Sequence, residues 1–368
     1  MQEDIEMKSS LITGYERTGY EQVDELARQV ARRAMVKESM ALVFTDFTET
    51  LAELFRFTNK WGEEVLVAGH ASPDVAIAVD RAELRLTEVL GSSPFCDDSA
   101  RVLAAISRGD ETLYLANPNR VTGANYSLSD LDTMARAVPR GALILDEYYF
   151  DFYGITGIPL LQRFTNVMIV RSFTTGFGIS SNESGYLVAE PEVIAHFRKA
   201  FEWSRVSNTE SKIAMTSLAN DMVQTRRLKV LHEESLRLAM ALTRLGIQNR
   251  ITPTDFLLLR VADPKRVGDC LASRRVAIKN LDGYPELKHY IAYVVQSEYS
   301  NDNFLNAFRR MPAEYYRMKT IDRRAIVLRG HAQERPKHEA AGDQVKALEK
   351  NRLPLEQDRT VIVDTRDL

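Results

Sequence analysis

The chain has little of what several protein classes require. Its 368 residues include only two cysteines, Cys96 and Cys270, which excludes a disulfide framework and a clustered thiolate metal site. Its six histidines show no metal-ligand spacing, so we expect no metal. No apolar run approaches the roughly 18 residues of a membrane helix. The first ten residues, MQEDIEMKSS, are acidic and polar where a signal peptide would be basic and then apolar. We therefore expect no membrane partner and a cytoplasmic location.

The chain also lacks an excess of charge of either sign. Forty-eight Lys and Arg stand against 51 Asp and Glu, a net charge of −3, which is too balanced for nucleic-acid binding. Hydrophobic residues make up 45% and charged residues 27% of the sequence, as in ordinary globular proteins. The length is sufficient for two or three domains with a large core.

Short apolar segments alternate with amphipathic ones between about residues 20 and 190. The strand-like segments are MALVF, EEVLVAG, TLYLANP, GALILDE, NVMIVRSF and GYLVAE. Helical spacing of apolar residues separates them, and Ser127 with Asp130 offers a capping box for one of these helices. This alternation predicts an α/β fold whose mainly parallel sheet is covered by helices on both faces.

Helical patterns dominate after residue 190, and a compact α+β pattern follows them. We predict an N-terminal arm and helix over 1–35, a large domain over 36–225, a small C-terminal domain over 226–312 and an extension over 313–368. The small domain is built from DFLLLRV, VAIKN, HYIAYVV and the flanking helices. The extension ends in a possible strand, TVIVDT, and is either a solvated tail or an edge strand.

Four segments carry a resemblance to one enzyme family. They are YERTGY (15–20), ANPNRVTG (116–123), LILDEYYFDF (143–152) and VRSFTTGFGISSNESGY (170–186). In order and spacing they resemble the fold-type-I, pyridoxal-phosphate-dependent aminotransferases, specifically the histidinol-phosphate aminotransferase-like branch. The resemblance implies the fold-type-I architecture, with a large sheet domain, a small α+β domain and a homodimer whose subunits share each active site.

The same resemblance points to a missing catalytic amine. The family's lysine, which forms an imine with the cofactor, corresponds here to Thr175. A threonine hydroxyl cannot form that imine or accept a carbon-bound proton without a partner base. No lysine occurs between residues 61 and 198 to replace it. The sequence therefore leaves the catalytic residues unknown.

Further substitutions fall on positions that contact the cofactor in the resembled family. Arg120 replaces the asparagine at the ring hydroxyl, and Ser72 corresponds to the aromatic residue that stacks on the ring. Asp46 and Phe47 lie in the phosphate-binding turn, where an acidic and a bulky side chain would repel or block a phosphate. Glu183 replaces the arginine that clamps the phosphate and so reverses the charge.

Four residues match the family and outline the pocket. Asp146 corresponds to the partner of the ring nitrogen, Tyr149 to the tyrosine beside the ring hydroxyl, and Thr174 and Tyr15 to groups that contact the phosphate. These residues could also have purely structural roles, as a cap, a core residue or a turn hydroxyl. The candidate ligand pocket consists of Asp146, Tyr149, Arg120, Thr174, Thr175, Glu183, Tyr15, Phe47 and Ser72.

Arg120 and Glu183 would both face this pocket, where a buried charge without a partner is costly. We therefore expect them to pair with each other or with Asp146, or to grip a polar ligand.

Three functions remain open on the sequence alone. Thr175, Arg120 and Glu183 disfavour pyridoxal phosphate, so the first expectation is a cofactor-independent protein that binds or transforms a small amino-acid-like metabolite in a biosynthetic pathway. The second is a non-catalytic partner subunit of an active aminotransferase. The third is a conventional pyridoxal-phosphate-dependent aminotransferase.

Overall fold

A computed structural model describes residues 23–59, 63–96, 98–173, 184–200, 208–279 and 281–318. All of them belong to one unit, Met1–Met318. Residues 319–368, which include the expected strand TVIVDT, lie outside the described residues, as do 1–22 and the gaps between the ranges above. Among the helices of the described ranges, none is both long and apolar enough to cross a lipid bilayer.

The larger sheet has seven strands in the order β1-β7-β6-β5-β4-β2-β3. The strands are β1 (Ala41–Phe44), β2 (Glu64–Ala68), β3 (Arg85–Val89), β4 (Thr112–Ala116), β5 (Ala142–Asp146), β6 (Val167–Ser172) and β7 (Gly185–Val188). Only β7 runs antiparallel to its neighbours, β1 and β6. Every residue of β4, β5 and β6 is buried, as expected for central strands covered on both faces.

Helices before, between and after the strands of this sheet cover both of its faces. They are α1 (23–34), α2 (Phe47–Thr58), α3 (Pro73–Arg81), α4 (Ser99–Ala105), α5 (Leu128–Ala137), α6 (Phe150–Tyr153), α7 (Pro191–Ala200) and α8 (Asn208–Leu218). One apolar cluster holds Leu26, Leu131 and Leu143, and the other holds Leu51, Val75 and Ile144. Leu143 and Ile144 are consecutive in β5, so the two clusters lie on opposite faces of the sheet.

A long helix, α9 (Asp221–Arg244), leads to a second, antiparallel sheet. Its strands are β8 (Gln248–Ile251), β9 (Phe256–Arg260) and β10 (Tyr290–Val294) in the order β10-β9-β8. The remaining helices are α10 (Pro264–Ala272), α11 (Glu298–Arg309) and α12 (Ala313–Tyr316). An apolar cluster that includes Tyr149, Phe256 and Ala292 joins this part of the chain to the residues after β5.

Most of the expected elements are confirmed. The Ser127–Asp130 capping box begins α5, and Gly246 follows α9 with a positive φ of 79°. The polar strand β3 was missed because an edge strand with little burial carries no apolar pattern. The segment VAIKN contributes only an isolated bridge between Lys279 and Ala292. The boundaries of the large and small domains stay a prediction.

Candidate active site

The candidate site lies at the carboxyl ends of β4 and β5. These strands are parallel neighbours, so the segments that follow them meet at one edge of the sheet. β4 leads into the loop that carries Arg120, and β5 ends at Asp146. The fold therefore brings Arg120 and Asp146 together although the motifs that contain them are separate in sequence.

Asp146 is a fully buried carboxylate with three polar contacts. Its Oδ1 accepts a hydrogen bond from the backbone N–H of Tyr148 (2.8 Å), and its Oδ2 accepts one from the Tyr114 hydroxyl. The Nη1 of Arg120 lies 3.6 Å from Oδ2. Burial raises the pKa of Asp146, and Arg120 acts in the opposite direction. A cation beside Asp146 therefore favours its ionised form.

Arg120 supplies that cation in this structure. Its Nη2 donates to Asp74 Oδ2 at 2.6 Å, and its side chain is only 12% exposed. The guanidinium lies over the ring of Tyr148 (4.1 Å to the centroid) and near that of Phe47 (5.0 Å). Burial opposes the charge of Arg120, but Asp146 and Asp74 outweigh burial and raise its pKa. Arg120 therefore pairs with Asp146 and Asp74, so one of the expected pairings is confirmed.

The starts of α2 and α3 border the same region. Asp46 caps α2, where its Oδ1 accepts from the backbone N–H of Glu49 (2.8 Å), and Phe47 is fully buried behind it. Ser72 is the N-cap residue of α3, and both its Oγ and the Nδ1 of His70 are buried without a hydrogen-bond partner. Unpaired buried polar atoms are costly, and they suit a site that binds a polar ligand.

A second polar group adjoins Tyr149, which follows β5. The Nζ of Lys279 donates a hydrogen bond to the Tyr149 hydroxyl at 3.2 Å. Burial raises the pKa of Tyr149, with Asp255 acting in the same direction. Burial also lowers the pKa of Lys279, although Asp255 partly offsets this effect. The site thus contains an amine next to a tyrosine hydroxyl.

The other candidate residues fall outside the described part of the chain. Tyr15, Thr174, Thr175 and Glu183 belong to this group. Their assignment to the pocket stays a prediction, as does the position of Thr175 at the family's lysine and the pairing of Glu183 with Arg120.

Sequence reasoning missed three charged residues of the site. Asp74 and Lys279 lie in segments that matched no motif, and Asp255 precedes an ordinary apolar strand. One feature of the sequence could have indicated Lys279. It follows the apolar run VAI, and a lysine that is buried there needs a polar partner. Spacing could not identify that partner, because Tyr149 belongs to a distant segment.

The described residues fit pyridoxal phosphate in part. A buried carboxylate that requires a cation suits a protonated ring nitrogen, and the hydroxyl–amine pair of Tyr149 and Lys279 suits a ring hydroxyl beside an aldehyde. Arg120 is the exception, because its guanidinium already contacts the Asp146 carboxylate. The ring-binding groups are therefore available only when Arg120 leaves that carboxylate, and Asp46 still caps α2 at the turn expected to hold the phosphate.

The curated proteins that match this chain include histidinol-phosphate aminotransferases. The chain is 27% identical over 200 residues to that of Caldanaerobacter subterraneus, covering 54% of this chain and 56% of the relative. It is 23% identical over 287 residues to that of Chlorobaculum tepidum, covering 75% and 80%. The chain thus spans little more than half the length of the first of these relatives.

A solved histidinol-phosphate aminotransferase shares the fold. The protein from Sinorhizobium meliloti, crystallised in complex with pyridoxal-5'-phosphate, aligns with a TM-score of 0.71 at 19% identity, covering 78% of this chain and 82% of that one. The expectation that no cofactor is used, drawn from Thr175, Arg120 and Glu183, is wrong, because these relatives point to pyridoxal-phosphate-dependent enzymes. That expectation rested on single substituted positions, two of which, Thr175 and Glu183, lie outside the described residues, and it gave too little weight to the retained Asp146 carboxylate, which is fully buried at the end of β5.

The family model for aminotransferase class I and II matches residues 6–296, which is most of the chain. That range includes both sheets of the fold and the site built around Asp146. The protein therefore belongs to the aminotransferase class I and II family.

Proposed function

We propose that this protein is a pyridoxal-phosphate-binding aminotransferase of the histidinol-phosphate aminotransferase-like type. Its substrate would be a small amino-acid-like metabolite of a biosynthetic pathway. The observation that carries the proposal is the buried carboxylate of Asp146, which lies at the carboxyl end of a parallel strand. The family match and the histidinol-phosphate aminotransferase relatives support the same assignment.

Each described residue has a distinct role under this proposal. Asp146 would hold a proton at the ring nitrogen, since a carboxylate in a buried site favours a positive charge next to it. The Tyr149 hydroxyl would bind the ring hydroxyl, and Lys279 would donate to the hydroxyl of Tyr149 as it does here. The chemistry supplied by bound pyridoxal phosphate is stabilisation of negative charge on the substrate carbon.

Water exclusion would come from the aromatic residues around Asp146. Phe47 and Tyr148 pack edge to face at 5.6 Å, and Tyr148 packs against Tyr149 at 5.1 Å. Their rings remove solvent from the carboxylate and strengthen its interaction with a positive charge.

The test measures cofactor retention and amino transfer separately. The full chain is incubated with pyridoxal phosphate, dialysed and examined for retained cofactor by absorbance, and the Asp146→Asn variant is treated in parallel. We expect retention by the native protein, a large loss in the variant, and transfer of an amino group from histidinol phosphate or an aromatic amino acid to a 2-oxo acid. Absence of retention in the native protein would refute the proposal.

A partner subunit with little turnover of its own is the second candidate function. The contact between Arg120 and Asp146 favours it, because the cation already present competes with a ring nitrogen. This candidate would be favoured if the protein retained the cofactor, transferred no amino group and co-purified with an active aminotransferase. Recovery of only a homodimer with transfer activity would favour the first one. A cytoplasmic location and a homodimeric state are part of the main proposal.

A further inference from the structure

A short segment before β10 reaches from the smaller sheet to the larger one. This segment, residues 281–288, is named the strap here, and it includes one turn of 3-10 helix at Pro285–Leu287. Leu281 and Leu287 are buried in the apolar cluster that contains Tyr149, whereas most of the residues between them are exposed. The strap is therefore anchored near both ends and open to solvent at its centre.

Tyr284 joins the centre of the strap to the loop that leads into α3. Its hydroxyl donates a hydrogen bond to the carbonyl oxygen of Ala71 at 2.8 Å, and its ring packs edge to face on the imidazole of His70, with 5.4 Å between the ring centroids. Ala71 lies two residues before α3, whose Asp74 pairs with Arg120. The strap therefore covers backbone that borders the candidate site.

His70 lies under Tyr284 with an unpaired ring nitrogen. The residue is only 5% exposed, and its Nδ1 is buried without a hydrogen-bond partner. One nitrogen of a neutral imidazole carries no proton, whereas both nitrogens of the imidazolium are N–H donors. Protonation of His70 in this position would thus bury a positive charge together with an N–H that has no acceptor, which costs free energy.

The charged groups that act on His70 come from β3 and from the strap. Burial lowers the pKa of His70, while the charges of Glu88 in β3 and Glu286 in the strap raise it. Glu88 Oε1 already accepts a hydrogen bond from the backbone N–H of Ala71 at 2.7 Å. Burial is the largest of these effects, so the closed strap favours the neutral ring.

Three further titratable side chains lie near His70. Cys96 and Tyr126 line a small cavity that also includes His70, and Tyr284 packs on the ring. Burial raises the pKa of Tyr284 to about 12, with nearby carboxylates acting in the same direction and Arg120 opposing them. The Tyr284 hydroxyl therefore keeps its proton in neutral and mildly acidic solution. Histidine is the side chain whose ordinary pKa, about 6.5, lies in that range, so His70 is the group at the strap that responds to mild acid.

We propose that the strap is a pH-sensitive closure over the start of α3, closed while His70 is neutral and open when His70 takes up a proton. In the open form the ring of Tyr284 moves away, and water accepts the hydrogen bond that the protonated ring must donate. The movement also exposes the Ala71 carbonyl and the unpaired Oγ of Ser72 beside Asp74. Mild acid thus widens access to the candidate site. The proposal goes beyond the proposed function, because it requires neither a bound cofactor nor turnover.

The test measures amide hydrogen exchange of the strap at two pH values. The full chain, without added cofactor, is exchanged at pH 7.5 and pH 5.5, and the rates of peptides that cover 281–288 are corrected for the intrinsic effect of pH on amide exchange. An open form in which His70 has the ordinary pKa of about 6.5 becomes up to about tenfold more populated at pH 5.5, the limit reached when the closed form binds no proton. We expect the corrected exchange to rise by about three- to tenfold.

Histidine variants assign the effect to one ring. His70→Gln keeps a polar side chain that does not titrate, so the pH effect should disappear. His289→Gln is the matched control, because His289 Nδ1 is also buried without a partner but lies after the strap, immediately before β10. This control should respond like the native protein. Burial also raises the pKa of Asp151 and Asp255, and a pH effect that arises from these carboxylates would survive in His70→Gln.

A tyrosine variant tests how the strap is held. Tyr284→Phe loses the hydrogen bond to Ala71 and keeps the ring over His70, so exchange of the strap should rise about fivefold at both pH values, equivalent to ~1 kcal/mol, with the pH effect retained. Circular dichroism and thermal melting establish that the variants fold, and His70→Asn is measured beside His70→Gln as a second non-titrating variant. A corrected exchange that changes less than about twofold with pH in the native protein, or a pH effect that persists in the folded His70 variants, would overturn the proposal.

Discussion

Replacement of Arg120 by asparagine should make cofactor binding much tighter. Arg120 is the cation on the Asp146 carboxylate, with Nη1 3.6 Å from Oδ2. A protonated ring nitrogen would need that same carboxylate, so in the native protein it must displace the guanidinium. Asparagine is also the residue that the family has at this position according to the sequence resemblance.

The magnitude follows from the burial of the ion pair. Breaking a buried pair by removing one partner costs about 3–5 kcal/mol, and a hydrogen bond from the new asparagine can return about 1 kcal/mol. The second partner of Arg120, Asp74, is 28% exposed, so the loss of that ion pair costs closer to the small free energy of a surface pair. The variant therefore loses about 2–4 kcal/mol of stability because the Asp146 carboxylate has no cation. A protonated ring nitrogen that takes the place of the guanidinium would recover much of this, so the variant should bind the cofactor on the order of 10²-fold more tightly than the native protein.

The assay combines binding with stability. Equilibrium dialysis gives the dissociation constant of pyridoxal phosphate, and urea unfolding with and without the cofactor gives the free energy of unfolding. Arg120→Asn should be about 2–4 kcal/mol less stable than the native protein without cofactor and should regain much of this with it. The control is Arg101→Asn, which removes an arginine that is 57% exposed and pairs with Asp98.

Two results would contradict the predicted effect of Arg120→Asn. The first is an affinity for pyridoxal phosphate that is the same in Arg120→Asn as in the native protein. The second is a gain in affinity that survives in the double variant Arg120→Asn/Asp146→Asn, because the gain is argued to arise at that carboxylate.

Two further predictions concern stability. The Glu111 carboxylate accepts hydrogen bonds from three backbone N–H groups, which overcome the effect of burial and lower its pKa to about 2. Its contribution to the free energy of unfolding is therefore complete above the unfolded-state pKa of about 4.3 and is lost as the pH falls towards 2. Urea unfolding should show Glu111→Gln less stable by about 1–3 kcal/mol at pH 7, and a difference that persists at pH 2 would contradict this. Gly123 has φ of 72°, and a Cβ there would lie 2.6 Å from the Thr252 Cβ, whereas Gly154 has φ of 77° and open space. Gly123→Ala should therefore lower the free energy of unfolding by about 1–3 kcal/mol more than Gly154→Ala does, and its melting temperature should be the lower of the two. Equal melting temperatures would show that the contact with Thr252 is unimportant.

The sequence predicted the larger sheet well because local patterns determine most of it. The apolar segments of β4, β5 and β6 are buried throughout, and the capping box at Ser127 begins α5 as expected. Such features depend on residues close together in the chain, where propensity and periodicity act directly. The same patterns said nothing about β3, whose polar side chains are partly exposed.

Local patterns in the chain were sufficient to predict that Asp146 ends a buried strand and that Arg120 belongs to the neighbouring loop, and hence that the two could pair. The folded chain was needed to show that Asp74 shares Arg120 with Asp146 and that Lys279 reaches the Tyr149 hydroxyl. The physical reason is that the electrostatics of a buried group depend on which charges the fold brings within a few ångströms of it, and these charges come from segments with no fixed spacing along the chain.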